Sequence, residues 1–284
     1  MQALRHFLLA LQYFTRIPIT GRVGQWIGYS PEQLPKALAH LPGVGLLMGL
    51  CSAIVLSGVL LALPSVPQAP AVAWIAAIAS TAATLLLTGA FHEDGLADLS
   101  DGLGGSYQTQ RALDIMKDSR IGAFGAIAIV MALLSKVALI AAWLQAQAHL
   151  PLAQASVQAG ALLVAAHVFS RVAPLCITAC MAHVGDTAQS KSKPIAAHFQ
   201  MRAFMVVVLW LLLTFALLYA AAPQMSWWIG LLGALTGGAV VAWRLHVRLH
   251  GFTGDGLGAS QQIGELALYL TMLACLPSAS AVVA

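Results

Sequence analysis

Seven long apolar runs constrain this chain more than any other feature of its sequence. They cover about residues 41–63, 71–91, 121–144, 155–182, 203–222, 227–245 and 263–283. Each is near the roughly 20 residues that an α-helix needs to cross a hydrocarbon core. In lipid a helix satisfies its own backbone N–H and C=O groups, so this pattern is expected to fold as helices. Only 8% of the residues are charged, against roughly 25% in a soluble domain. An integral membrane protein is therefore expected. No connection between the runs is long enough to fold alone, so residues 1–284 read as one all-α, polytopic domain of about seven spans.

The connections alternate in character. Segments 64–70, 145–154 and 223–226 contain no Lys, Arg, Asp or Glu, whereas 1–40, 92–120, 183–202 and 245–262 hold most of the charge. The positive-inside rule then puts the N-terminus and the charged connections in the cytoplasm, and the C-terminus outside. That placement also accounts for the net charge of +4, which is not read as nucleic-acid binding. Leu4, Phe7, Leu8, Leu11 and Phe14 recur at helical spacing between Arg5 and Arg16. They predict an interfacial helix opening the N-terminal segment 1–40, rather than a cleaved signal peptide. The four cysteines lie in apolar runs and read as structural thiols. No convincing internal repeat is legible, which weighs against a transporter built on inverted repeats.

Of the ten acidic residues, four fall between Glu93 and Asp101, in the stretch Phe-His-Glu-Asp-Gly-Leu-Ala-Asp-Leu-Ser-Asp-Gly-Leu-Gly-Gly that begins at Phe91. Asp94, Asp98 and Asp101 stand at i, i+4 and i+7. On a helix they share a face, about 6 and about 10 Å apart along the axis. Like charges so arranged repel, and a cation among them relieves the repulsion. Carboxylates suit Mg²⁺ or Mn²⁺, which substrate phosphates also hold. Glu93 joins this metal set, and Glu265 either completes it or accompanies a positive helix N-terminus. Residues 92–120 are thus expected to form an acidic catalytic loop, with His92 a candidate proton acceptor.

Charges inside apolar runs cost about 2.5–3.5 kcal/mol each, so Lys136, Arg171 and Glu265 call for reasons. Arg171 precedes Pro174, which should kink its span, and an Arg beside a broken helix suits a phosphate or carboxylate in a polar cavity, or else pairs with a structural acid. Lys136 is expected to snorkel on its flexible stem. In the 92–120 segment, Asp118 is a further candidate ligand and Lys117 a candidate phosphate contact. Gly254 and Asp255 lie in Thr-Gly-Asp-Gly-Leu-Gly-Ala, residues 253–259. There, and at Gly102, Gly104 and Gly105, glycine would let the backbone approach an anion closely.

These segments together carry a family resemblance. His-Glu-Asp-Gly-Leu-Ala-Asp-Leu-Ser-Asp-Gly-Leu-Gly-Gly (92–105), Ile-Met-Lys-Asp-Ser-Arg-Ile-Gly (115–122), Arg171 with Pro174, and the 253–259 segment with Glu265 resemble cobalamin synthase, the adenosylcobinamide-GDP ribazoletransferase family. The opening Phe-Thr-Arg-Ile-Pro (14–18) is similar too. The resemblance implies a bacterial inner-membrane enzyme that uses Mg²⁺ to join adenosylcobinamide-GDP to α-ribazole or its 5′-phosphate, releasing GMP. It implies catalytic roles for Asp94, Asp98, Asp101, Lys117, Asp118, Arg171 and His92. Substrate contacts would come from Arg171, Lys117, Ser119, Gly102, Gly104, Gly105, Gly254 and Asp255. One departure is His-Gly-Phe at 250–252, where two small residues are expected before Thr253. The lipid bilayer is the other implied partner, nucleic acid is not, and assembly with copies of itself is compatible with such a chain.

Three rival readings fit these motifs less well. A CDP-alcohol phosphotransferase expects Ala-Arg where Asp98 stands. An aspartate-rich prenyltransferase could use Asp114 and Asp118 as its second cluster but has no place for the 253–259 segment. A secondary transporter predicts acids near the bilayer midplane rather than in loops on one side.

Overall fold

The computed structural model describes residues 1–30, 33–63, 70–184 and 201–276, apart from the side chains of Met201 and Arg202. Among the described residues the architecture is helical, its one departure being a single bridge between His183 and Phe252. Three short helices open the chain: α1 (Gln2–Phe14), α2 (Gly21–Ile27) and α3 (Leu34–Leu38). The amphipathic reading of the first is borne out as a packed helix: Leu9, Ala10, Leu11 and Phe14 are buried.

The bundle follows as α4 (Leu41–Ala62), α5 (Pro70–Thr88), α6 (Phe91–Gly105), α7 (Thr109–Met116), α8 (Ala123–Ala146), α9 (Leu152–Phe169), α10 (Val172–Cys180), α11 (Met201–Ala221), α12 (Trp227–Leu249) and α13 (Gly254–Ala274). Six segments are long and apolar enough to cross a membrane: α4, α5, α8, α9 with α10 as one stretch, the part of α11 from Ala203, and α12. The chain is thus a helical membrane protein.

The seventh apolar run meets its expectation only in part, and two further expectations are corrected. The seventh run does not join those six, because the helix there starts at Gly254 and carries Asp255, Gln261, Gln262 and Glu265. The far end of that run lies outside the described residues. Residues 92–120 are not a loop either; they form α6, α7 and the turn between them. The fourth span does break, but at Ser170–Arg171, and Pro174 sits in the first turn of α10, where a missing N–H costs nothing.

Two ends of the bundle can be told apart. At one, Leu60, Ala73, Leu144, Pro151 and Ala155 line a small cavity, so the ends of α4 and α8 meet the starts of α5 and α9. This is the uncharged end. At the other, the Arg16 N–H donates to Leu87 O at 2.6 Å, and Thr109 Oγ1 donates to Arg248 O at 3.0 Å. The candidate site lies at this charged end, built on α6 and α13.

Candidate functional site

Each of these two helices follows a sharp elbow. Gly89 and Ala90 take φ of 66° and 57° between α5 and α6, and His250 takes φ of 58° between α12 and the approach to α13. For a residue with a Cβ that conformation costs about 1–2 kcal/mol. Non-glycine residues at both turns therefore mark positions that the surrounding structure enforces. Behind the second elbow Phe252, the departure from the family pattern, is fully buried and pairs with the 182–184 segment through Phe252 N–Ala182 O and Val184 N–Phe252 O bonds. Thr253 then caps α13, its hydroxyl accepting from Gly256 N at 3.1 Å.

The helices cross backbone to backbone. A Cβ on Gly95 would stand 2.8 Å from Asp255 O, and one on Gly258 would stand 3.1 Å from His92 O. A Cβ at Gly95 would force the backbones apart, and one at Gly258 would press tightly on His92. The segments that cross are Asp94-Gly95-Leu96-Ala97 and Asp255-Gly256-Leu257-Gly258, a local repeat that brings two aspartates to one place. Asp94 is exposed, Asp98 and Asp255 half-buried. Burial, then the charges of Asp255, Asp94 and Asp101, push the Asp98 carboxyl up to about 7. Burial and the neighbouring Asp94 push Asp255 up to about 6. The cluster is Asp94, Asp98 and Asp255.

Asp101 belongs to another task. Its Oδ2 accepts from Gly122 N at 2.7 Å and its Oδ1 from Gly125 N at 2.8 Å, so it caps α8 from outside that helix. A charged acceptor on two helix N-terminal N–H groups stabilises by about 1–3 kcal/mol. Asp101→Ala is accordingly expected to lower the unfolding free energy in detergent by about 2 kcal/mol. Thermal unfolding beside Asp94→Ala, which lacks such a bond, would reveal the contrast, and equal stability of the two would contradict the cap.

Glu93 and Glu265 do not join the cluster. Glu93 is buried and accepts from Gln262 Nε2 at 2.9 Å. Glu265 accepts from Lys136 Nζ at 2.7 Å and Tyr269 OH at 3.1 Å on one oxygen, and from Gln261 Nε2 at 2.8 Å on the other. Lys136 does not snorkel: it is 3% exposed. Arg171 is 1% exposed, with Nη1 donating to His167 O at 2.6 Å.

His92 is buried and meets the ring of Phe91 edge-to-face. Asp118 is bound by Arg120 at 2.6 Å, and that hydrogen bonding holds its carboxyl near 2, too acidic to accept a proton at neutral pH. Asp114 accepts from Gln110, so a second aspartate cluster does not form there. Lys117 and Ser119 lie exposed on the turn before α8. The C-terminal glycines of α6 serve packing: Cβ atoms at Gly102, Gly104 and Gly105 would meet Met116, Phe124 and Ile115. Gly254 is the first residue of α13, at its positive end.

Comparison with known proteins decides what this arrangement is part of. The model of the family described as cobalamin-5-phosphate synthase matches residues 6–273. The chain belongs to this family. Among the chain's relatives is an adenosylcobinamide-GDP ribazoletransferase from Polaromonas sp. (strain JS666 / ATCC BAA-500), 47% identical, with 95% of this chain and 96% of the relative covered. Another of that name, from Vibrio parahaemolyticus, is 38% identical over 94% of this chain and 91% of its own. No solved structure matches. As a member of the cobalamin-5-phosphate synthase family the chain is a transferase, and the phosphotransferase, prenyltransferase and transporter alternatives fall away.

Proposed function

We propose that the protein transfers the phosphocobinamide group of adenosylcobinamide-GDP to α-ribazole or its 5′-phosphate, releasing GMP, with Mg²⁺ at the charged end of the bundle. One observation carries this reading beyond the family: the α6–α13 crossing brings Asp255 against Asp94 and Asp98 at a surface that solvent reaches. Upward-shifted carboxyls describe negative charge in need of a cation. Among the described residues no group of three or more His, Cys, Asp or Glu side chains is placed to hold a metal ion by itself. Mg²⁺ usually keeps several waters and is completed by substrate phosphates, so it asks for only one or two of these carboxylates. Asp94, Asp98 and Asp255 would supply them. When bound, Mg²⁺ would neutralise charge on the diphosphate and on the departing GMP.

The chain's own residues supply the rest. The first turn of α13, beginning at Gly254, presents backbone N–H groups and a positive helix end to a phosphate. Lys117 and Ser119, on the turn that Asp101 ties to α6, are the candidate further contacts. The acceptor oxygen would attack the phosphorus attached to cobinamide, and positioning with charge stabilisation is most of what such chemistry asks. Since His92 is buried and Asp118 is paired, neither suits a general base for the acceptor hydroxyl. The test is GMP release with corrinoid product formation, from purified protein with both substrates, with and without Mg²⁺. A folded protein that yields no GMP under these conditions overturns the proposal.

The same reading carries a pH dependence. In the metal-free protein, Asp98 and Asp255 keep protons to about pH 7 and 6, which the unfolded chain releases near 4. The folded state thus binds more protons in that window, so stability falls as pH rises from about 4 to 7. Added Mg²⁺ is expected to flatten the fall. Melting curves across that range, with metal or chelator, measure it; identical curves would count against the cluster as a metal site.

We further place the charged end in the cytoplasm of a bacterial cell, within the inner membrane. Because α13 lies along α12, it would recross the bilayer inside the bundle, its polar residues paired with protein. Seven crossings then leave the C-terminus outside. A reporter fused after Ala284 should be active only if it functions outside the cytoplasm; cytoplasmic activity there would refute this topology.

A further inference from the structure

Glu93 and Asp94 are neighbours on α6 with opposite surroundings, one buried and one exposed. From Glu93 a continuous polar line runs inward. Gln262 Nε2 donates to Glu93 Oε1 at 2.9 Å and to Gln261 Oε1 at 2.8 Å, and Gln261 Nε2 donates to Ser170 Oγ at 2.9 Å and to Glu265 Oε2 at 2.8 Å. Glu265 closes the line on Lys136 Nζ at 2.7 Å. The line therefore joins α6, α13, α8 and the break between α9 and α10. Lys136, Gln261, Gln262 and Glu265 are each 3% exposed or less. None of them has a part in the reaction proposed above.

The line answers a mechanical question posed by the α6–α13 crossing. With glycine at Gly95 and Gly258 the two backbones meet directly, so the rotation of α6 on α13 is set by the side chains that flank the contact. Successive residues on a helix point about 100° apart. Fixing Glu93 inward therefore fixes the outward direction of Asp94, and of Asp98 one turn on. Gln262, which holds Glu93, lies two turns from Asp255 on the same helix. We propose that the Lys136–Glu265 ion pair, acting through Gln261 and Gln262, is a positioning device that sets the rotation of α6 on α13 and so the spacing of Asp94, Asp98 and Asp255 around a divalent cation. This inference rests on the metal reading of that cluster.

The probe is Mn²⁺ alone, titrated into purified detergent-solubilised protein and followed by paramagnetic resonance, alongside the Mg²⁺ dependence of turnover. Lys136→Met/Glu265→Gln removes both charges at nearly constant size. The double variant is expected to remain folded, to bind Mn²⁺ roughly 10- to 100-fold more weakly, as loss of groups that orient metal ligands typically does, and to need correspondingly more Mg²⁺. At saturating Mg²⁺ its kcat should largely recover. A folded double variant with wild-type Mn²⁺ affinity overturns the inference.

If the double variant does not fold, Gln262→Met, which breaks only the link to Glu93, takes its place, and unchanged Mn²⁺ affinity there has the same consequence. Asp98→Asn is the reference. A wild-type protein that does not bind Mn²⁺, or an Asp98→Asn variant that binds it normally, ends the metal reading and the inference with it. Loss of binding in Asp98→Asn together with normal binding in the double variant ends the positioning inference alone.

Discussion

Asp94→Asn and Asp98→Asn are each expected to leave a folded protein whose GMP release is at least about 100-fold slower, the scale of losing one electrostatic contact to a reacting centre. Asparagine keeps the shape of the side chain and removes its charge. The two expected effects have opposite signs. In the metal-free protein Asp98 is already opposed by burial and by Asp255, Asp94 and Asp101, which is why its carboxyl sits near 7. Neutralising it should therefore leave metal-free stability at neutral pH unchanged or raised, while turnover collapses. A merely structural acid would behave the other way, losing stability first. Asp255→Asn should follow the same pattern, because it meets Asp94 across the helix crossing. The decisive comparison sets turnover against melting temperature for the three variants, each with and without Mg²⁺. Near wild-type turnover with an unchanged metal requirement would remove the cluster from the mechanism.

Much of this arrangement was legible because apolar length and charge placement report on the bilayer directly. Six of the seven apolar runs correspond to long apolar helices, and the acidic stretch was readable as one helical face. What the spacing could not show was which acid on that face meets which partner. Asp94, Asp98 and Asp101 look equivalent at i, i+4 and i+7. Only the approach of α8 makes Asp101 a cap, and only the approach of α13 makes Asp255 a neighbour.

A signal for that neighbour was present all the same. Asp-Gly-Leu followed by a small residue occurs at 94–97 and again at 255–258, too short to register as a repeat. The 253–259 segment read as a glycine-rich loop because its glycines suggest turns, yet they serve helix crossing and helix packing. The intramembrane charges were misjudged for a related reason. Lys136, Arg171 and Glu265 are far apart in sequence, and nothing in their spacing pairs Lys136 with Glu265 or Arg171 with the His167 carbonyl, as the bundle does.

That buried pair carries the largest expected loss of stability in the molecule. Lys136 and Glu265 are 3% and 1% exposed and stand 2.7 Å apart. Removing one partner leaves the other charge with no solvent to turn to, a loss of about 3–5 kcal/mol in buried pairs. Glu265→Leu is expected to approach that figure, since it also takes the acceptor from Tyr269 and Gln261. Lys136→Met should cost less, because Tyr269 and Gln261 still donate to the remaining carboxylate. Removing both charges together, in Lys136→Met/Glu265→Gln, should recover much of the loss, as a neutral pair needs no desolvation of ions. The measurement is a double-mutant cycle of unfolding free energy in detergent, built on Lys136→Met, Glu265→Gln and their combination. Strictly additive losses would mean that the two side chains do not act as a pair, whatever their separation. A coupling of about 2 kcal/mol or more would make the ion pair the reason that charges can sit in this part of the chain at all.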